Sequence, residues 1–356
     1  MTELPRSAVV VGGGVVGSAT ALALVRRGLR VVLVEAEPDL ALGASGTNSG
    51  ILHTGFDSVP GDLETRLILR AAELRDPVLD ALGVPVLRCG AVMPRASVEA
   101  AANATRNGVE IRGRRDGALE VPGESVTDPV RCTLAFAAAA RAHGAEIRTG
   151  FRVRRVGRGG LVSSEADDAV VGEVVINCAG LYADEVARAA GDDSFAIYPR
   201  KGEFFVFDAE LDHILLPAPT ARTKGVLVFP TVDGHVIAGP TAVDQEDKAD
   251  WSVRPQARDE VLAKAVELHP PLEGLEPIAA YAGLRPAGRG VNYLIGHSPV
   301  RRDLVNVAAI RSTGLTAALG IAEHVADLVA PGRPEAPLRA GEPPSMDGPW
   351  WNRRAR

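Results

Sequence analysis

Residues 48–57, NSGILHTGFD, set one histidine, His53, between Gly50 and Gly55, after a run that already carries Gly43 and Gly46. Glycine backbone lets a ligand come close because no Cβ holds it off. Imidazole is the side chain whose unperturbed pKa lies near physiological pH. Two readings follow: a proton acceptor held against a bound molecule, or a loop histidine whose bonds are only structural. Nearer the amino terminus, SAVVVGGGVVGSATALALVRRGLRVVLVEAE contains Gly12, Gly14 and Gly17 as GxGxxG, with Glu35 beyond them. The first glycine allows a tight turn, the second admits a pyrophosphate, and the third lets helix and strand pack closely. Glu35 stands where an acid accepts hydrogen bonds from a ribose diol. The chemistry is dinucleotide binding, for NAD or FAD alike.

The elements that must position these residues can be read around them. Ala8–Val11 is a short β-branched run, as a buried parallel strand requires. Ser18–Arg27 reads as a helix ending before Gly28, and Arg30–Val34 as a second strand. Helices are expected over Asp62–Leu82, 97–107, Pro129–His143 and Pro255–Leu268. LRCGAVMPRA reads as one strand, and GAEIRTGFRVRRV as strands returning to the sheet. In VVGEVVINCAGLYADEVARAAG a strand meets a helix through Ala179 and Gly180, a second place for backbone to approach a cofactor. Residues 197–240 are β-rich, and Ile278 to Val329 closes with AGLRP, STGLT and the helix AALGIAEHVADLV. His235, in VDGHVIAGP, reads as a sheet-edge residue rather than a ligand.

The fold class expected is α/β: a Rossmann-like nucleotide domain from separated segments (1–85, 125–195 and 280–330) with an inserted β-rich, α+β substrate domain (86–124 and 196–279). Residues 331–356, rich in Pro, Gly and Arg, read as a loosely packed tail. Its WWNRRAR end suits an untethered terminus, with a weak membrane-surface or partner contact as the alternative. At 356 residues the chain exceeds one simple core. A hydrophobic fraction of 46% and a charged fraction of 24% belong to a globular protein. The net charge of −6 gives no basic footprint for nucleic acid. The three cysteines have no zinc-ligand spacing and read as reduced thiols, so no metal is expected. No apolar run reaches the about 18 residues of a membrane helix, and a cytoplasmic location is expected.

GGGVVG with Glu35, GASGTNSG, NCAGLYAD, AGLRP and STGLTAALGIAEHVADL, in that order, resemble the FAD-dependent D-amino-acid oxidase superfamily over about residues 7–330. That group includes glycine and sarcosine oxidases, L-2-hydroxyglutarate dehydrogenases and glycerol-3-phosphate dehydrogenases. The resemblance implies FAD as cofactor. Beside Gly12, Gly14, Gly17 and Glu35 it assigns to the cofactor Val15, Val16, Ala36, Gly43, Ser45, Gly46, Thr47, Asn48, Ser49, Gly50 and Leu52. Further along it adds Val153, Ala179, Gly180, Gly283, Arg285, Ser312, Thr313, Gly314, Leu315 and Thr316.

Within the superfamily, NSGILHTGFD, KGVLVFPTVDGHVIAGPTA and RSTGLTAALGIAEH look most similar to short glycerol-3-phosphate oxidases and dehydrogenases. The resemblance makes His53 the base beside the flavin and Arg285 the anchor for the substrate's anionic end. Lys224 and Ser312 line the same pocket. Two features depart from relatives: Gly314 stands where long respiratory glycerol-3-phosphate dehydrogenases carry lysine, and no cysteine adjoins GLRP, so the flavin is expected to be non-covalent. The expected activity is hydride transfer to flavin from a small anionic hydroxy compound, glycerol 3-phosphate foremost. L-2-hydroxyglutarate or another 2-hydroxy acid is the nearest alternative; a glycine- or sarcosine-type amine and a larger metabolite are the others. Oxygen, a quinone or another protein would reoxidise the flavin.

Overall fold

The structure, a computed structural model, describes residues 4–217 and 225–353. Ser7–Val11 lies at the centre of a six-stranded sheet, paired in parallel with Arg30–Val34 on one side and Val174–Asn177 on the other. Glu146–Arg148 extends the first side and Leu304–Ala308 the second, both parallel; Leu294–His297 closes the latter edge antiparallel. Ser7–Val11, Val174–Asn177 and Leu304–Ala308 are buried at every residue. A parallel sheet covered on both faces demands that.

The helices are α1 (Val15–Arg26), α2 (Leu63–Ala81), α3 (Val98–Asn107), α4 (Pro129–Ala142), α5 (Ala183–Ala189), α6 (Ala257–Leu268) and α7 (Gly314–Val329). Two carry side-chain caps: Ser97 Oγ accepts from Ala100 N at 3.2 Å, and Asp128 Oδ1 accepts from Val130 N and Arg131 N at 2.9 Å each. These satisfy amide groups that the first turn leaves without a carbonyl. Helix α1 begins at Val15 rather than Ser18, because Gly14 takes the extended N-cap conformation. It packs against α4 and α7, and α7 packs in turn on α2. The last contact is close enough to require glycine: a Cβ at Gly320 would stand 2.2 Å from the Leu67 carbonyl oxygen.

A second, nine-stranded sheet is built on Ile197–Phe207, which pairs antiparallel with Ala279–Gly288 from Ile197↔Gly288 to Val206↔Ala279. Beyond it run Val236–Gly239, Leu227–Pro230 and Ile214–Leu215, then Ala91–Met93, Leu119–Val121 and Arg112–Gly113. A third, small sheet joins Ile51–Leu52, Ser125–Thr127 and Val86–Leu87, with Leu52 opposite Ser125. Two strand expectations need correction. LRCGAVMPRA is not one strand, since Gly90, at φ 66, turns the chain from Val86–Leu87 in the small sheet to Ala91–Met93 in the large one. Val153–Val156 does not return to the parallel sheet; it starts a separate three-stranded antiparallel meander with Leu161–Ser164 and Ala169–Val171.

The carboxy-terminal segment runs mostly exposed and without regular structure from residue 331 to 349, but it is tied down at points and its tryptophan end is buried. Ala336 N donates to Arg26 O at 2.8 Å and Arg339 N to His143 Nε2 at 3.0 Å. Trp350 is 1% exposed and meets the Tyr281 ring edge-on at 5.6 Å between centroids. Trp351 Nε1 donates to Asp233 Oδ2 at 3.1 Å. Proline and glycine lowered the segment's periodicity, but two tryptophans supply enough apolar surface to pin it. Trp350→Ala is expected to lower unfolding free energy by about 3–5 kcal/mol, read by chemical denaturation. A loss below about 1 kcal/mol would mean that the segment is not held by this side chain.

Candidate active site

The glycine-rich turn follows the central strand. Gly12 has φ 110, and a Cβ there would stand 2.4 Å from the Cys178 carbonyl oxygen. At Gly17 it would stand 1.9 Å from the Gly12 carbonyl oxygen, so strand, turn and helix pack as closely as the spacing required. The N-cap of α1, Gly14, has no side chain to cap with, the first turn holds no acid, and the helix start opens onto a cavity of about 780 Å³. Glu35 lies on that wall, its Oε2 accepting from Gly13 N at 2.6 Å and its Oε1 from Glu37 N at 2.9 Å. Burial pushes the Glu35 carboxyl up, against the opposing pull of those N–H bonds. Ser45 Oγ reaches across to accept from Val15 N at 2.9 Å. A helix start with bare glycine backbone, beside a carboxylate at the next strand end, suits a diphosphate joined to a ribose.

Of the residues assigned to the cofactor, Gly12, Gly14, Val15, Val16, Gly17, Glu35, Ala36, Gly43, Ser45 and Asn48 line this cavity. So do Val153, Ala179, Gly180, Gly314 and Leu315. A second cavity, of about 610 Å³, holds Thr47, Ser49, His53, Gly283, Arg285, Ser312 and Thr313 on its wall. Ala44, Asn48 and Arg311 belong to both walls, so the two cavities adjoin. Gly46, Gly50, Leu52 and Thr316 line neither. Gly46 abuts the Ala41 carbonyl and Gly50, at φ 81, the Thr127 carbonyl. Those glycines let the chain approach its own backbone rather than a ligand. Leu52 is a buried strand residue, and Thr316 Oγ1 accepts from His53 N at 3.1 Å. Lys224 lies outside the described residues.

His53 follows the strand Ile51–Leu52, and Glu124 precedes Ser125–Thr127; antiparallel pairing of Leu52 with Ser125 makes them neighbours on the next rung. His53 Nδ1 lies 2.8 Å from Glu124 Oε2. The carboxylate is completely buried, and its Oε1 accepts from Thr54 N at 2.7 Å and Thr54 Oγ1 at 2.8 Å. Burial alone would raise its pKa, but His53 and the Thr54 bonds outweigh that and hold it below the usual carboxylate range. Arg75, also buried, donates to His53 O at 2.8 Å and Gly123 O at 3.0 Å, bracing both sides of the pair. Nothing local in VPGESVTD announces Glu124, because its role depends on sheet register.

Arg285, lining the same cavity, sits in the strand Ala279–Gly288 opposite Arg200. Its Nε donates to Arg200 O at 3.1 Å, and its Nη2 to Lys201 O at 3.0 Å and Thr241 O at 2.6 Å. Among the described residues it has no carboxylate partner. Desolvation pushes the guanidinium down to about 10, with like-charge repulsion from Arg200 partly offset by the nearby Asp244 carboxylate and reinforced by Arg311, so it stays charged near neutral pH. Gly202, in the facing strand, makes room for it: a Cβ there would stand 2.7 Å from Nη2. Ser312 is exposed on the chamber wall, and its carbonyl accepts from Asn48 Nδ2 at 3.3 Å. The N-cap of α7 is Thr313, so Ser312 does not serve there.

Three further wall residues escaped the sequence reading. Arg200 forks onto Asp244 at 2.6 and 3.0 Å. Glu64 collects Thr313 Oγ1 and Asn292 Nδ2, each at 2.7 Å, and Arg311 Nη2 at 3.1 Å. Arg311 adjoins Ser312 in the RSTGLT motif, which was the available signal. His235 lines neither cavity. Its Nδ1 pairs with Asp233 at 2.8 Å just before the strand Val236–Gly239, as a sheet-edge residue does.

The chain is 27% identical over 349 residues to glycerol 3-phosphate dehydrogenase of Caloramator mitchellensis, an alignment covering 90% of this chain and 73% of that protein. It is 27% identical over 362 residues to glycerol 3-phosphate oxidase of Mycoplasma pneumoniae, covering 91% and 94%. The solved structure of dithionite-reduced L-α-glycerophosphate oxidase from Mycoplasma pneumoniae, with FAD bound, superposes with a TM-score of 0.83 at 25% identity, covering 97% of each chain. Among the described residues no helix is long and apolar enough to cross a membrane. The family model for FAD-dependent oxidoreductases, DAO, matches residues 7–328, and with the dinucleotide slot in place the chain belongs to that family and uses FAD.

Proposed function

We propose that the chain oxidises the secondary alcohol of a small anionic hydroxy compound, glycerol 3-phosphate foremost. The observation that carries this reading is Arg285, a partly buried guanidinium with no carboxylate partner among the described residues, lining the same chamber as a histidine whose Nδ1 is already engaged. A partly buried cation whose donors meet only neutral carbonyls, while nearby Asp244 is taken up by Arg200, is incompletely compensated, and an anionic substrate supplies further negative charge. The guanidinium then orients the substrate, with one carbon toward the adjoining cofactor cavity. Nε2 is the His53 ring nitrogen left for the substrate hydroxyl, and it takes the proton as the carbon–hydrogen bond breaks. FAD, when bound, supplies the two-electron acceptor for the departing hydride. Ser312, on the same wall, offers a hydroxyl to the substrate's polar end, and Lys224 is assigned to the same pocket on the resemblance alone. Glu35, Ser45 and the Gly12–Gly17 turn would hold FAD. The binding is proposed to be non-covalent, since burial pushes the Cys178 thiol on that wall up to about 12.

The test is anaerobic mixing of the FAD-loaded protein with glycerol 3-phosphate while following flavin absorbance near about 450 nm. Rapid bleaching is the expected result. A flavin that stays oxidised with glycerol 3-phosphate but bleaches with L-2-hydroxyglutarate or glycine would overturn the substrate assignment.

A further inference from the structure

We propose that Glu124 is a positioning residue for His53, fixing the neutral imidazole with its proton on Nδ1 so that Nε2 faces the chamber bare. The proposal rests on the reading of His53 as proton acceptor, and it assigns a role to a residue 71 positions away. Glu124 has two oxygens with separate duties. Oε1 takes both the amide and the hydroxyl of Thr54, while Oε2 meets, among the described residues, His53 Nδ1 alone. An ionised carboxylate accepts and never donates. The imidazole nitrogen that meets it must therefore carry the hydrogen, and the other nitrogen becomes the acceptor. When Nε2 takes the substrate proton, the imidazolium meets the negative charge of a fully buried carboxylate at 2.8 Å. Arg75 balances Glu124 while His53 is neutral: it is buried nearby without touching the carboxylate, and it ties Gly123 O and His53 O together.

A purely structural hydrogen bond would also join the two strand ends, and Glu124→Gln separates the alternatives. The glutamine has one oxygen and one NH2. Thr54 N–H and Oγ–H both need an acceptor, so the oxygen stays with Thr54 and the NH2 turns to His53. His53 Nδ1 must then accept, and the proton moves to Nε2, where it blocks uptake of another. The variant keeps side-chain size and both contacts, yet inverts the tautomer.

The experiment uses the FAD holoenzyme with 15N-labelled histidine and long-range 1H–15N correlation spectra at a pH where the imidazole is neutral. The chain has seven histidines, and His53→Asn identifies the His53 signals by their loss. The expected wild-type result is a protonated Nδ1 and a bare Nε2, exchanged in Glu124→Gln. This readout needs neither substrate nor turnover, so it stands even if glycerol 3-phosphate proves to be the wrong compound. A wild-type His53 with its proton on Nε2, or an unchanged tautomer in Glu124→Gln, would overturn the proposal. With a substrate that bleaches the flavin, Glu124→Gln is expected to slow reduction on the order of 10²–10⁴-fold, with substrate affinity little changed. In a His53→Asn background the same substitution should add no more than about twofold, because residues acting as a unit are not additive. A full additional loss there would show that Glu124 acts independently of His53, against the proposal.

Discussion

His53→Asn is expected to give a folded, FAD-loaded protein whose flavin is reduced by glycerol 3-phosphate on the order of 10²–10⁴-fold more slowly than in the wild type. Asparagine is chosen because its amide can still donate toward Glu124, which would otherwise lose its one bond at Oε2. The loss should fall on the reduction step and not on substrate affinity, since the proposed anchor for the anion is Arg285, not His53. Stopped-flow reduction at increasing substrate concentration separates the two. A saturating rate within about threefold of wild type would remove His53 from the chemistry and leave it as a brace between the strand ends. Amine substrates sharpen the comparison: an amine entering as its free base needs no hydroxyl proton removed. If glycine reduced the wild type and His53→Asn equally well, the chamber would be an amine site.

Arg285→Met is the second large effect. Truncating one partner of a buried charge pair costs about 2–5 kcal/mol, which at about 1.4 kcal/mol per decade is roughly 30-fold to several-thousand-fold in affinity. The dissociation constant for glycerol 3-phosphate should rise by that factor, while weak binding of uncharged glycerol stays nearly unchanged. The measurement is therefore the ratio of the two affinities, which should collapse toward one. The carbonyls of Arg200, Lys201 and Thr241 lose their donor in this variant, so stability is followed alongside. Retention of the glycerol 3-phosphate preference would assign the anion to Arg200 or Arg311, the other guanidinium groups on the wall. Neither is as open to a new partner, because Arg200 already forks onto Asp244 and Arg311 is bonded to Glu64.

Local chemistry was legible without coordinates. Gly12, Gly14, Gly17 and Glu35 announced a dinucleotide slot because strand, turn, helix and the next strand are contiguous in the chain. Backbone constraints of that kind act over a few residues, so residue type and spacing report them directly. His53 and Arg285 stood out through short motifs, and the structure sets both on the lining of one cavity. The helices came through for the same reason, with ends displaced where a glycine served as cap.

What only the tertiary structure decided is everything that depends on sheet register and on packing between distant segments. Leu52 opposite Ser125 brings Glu124 to His53, and a shift of one residue would turn the carboxylate to the other face. The glycines around His53 were read as room for a ligand, whereas Gly46 and Gly50 meet the protein's own carbonyls. Composition suggested a loose terminus, yet Trp350 closes against Tyr281 because a partner far away in sequence offers an apolar wall. Arg285 could be read as an anion anchor from its motif, but that its donors meet carbonyls and no carboxylate among the described residues follows from the fold around it. Sequence reports what the backbone imposes on near neighbours; charge compensation and tautomer belong to pairs that only folding brings together.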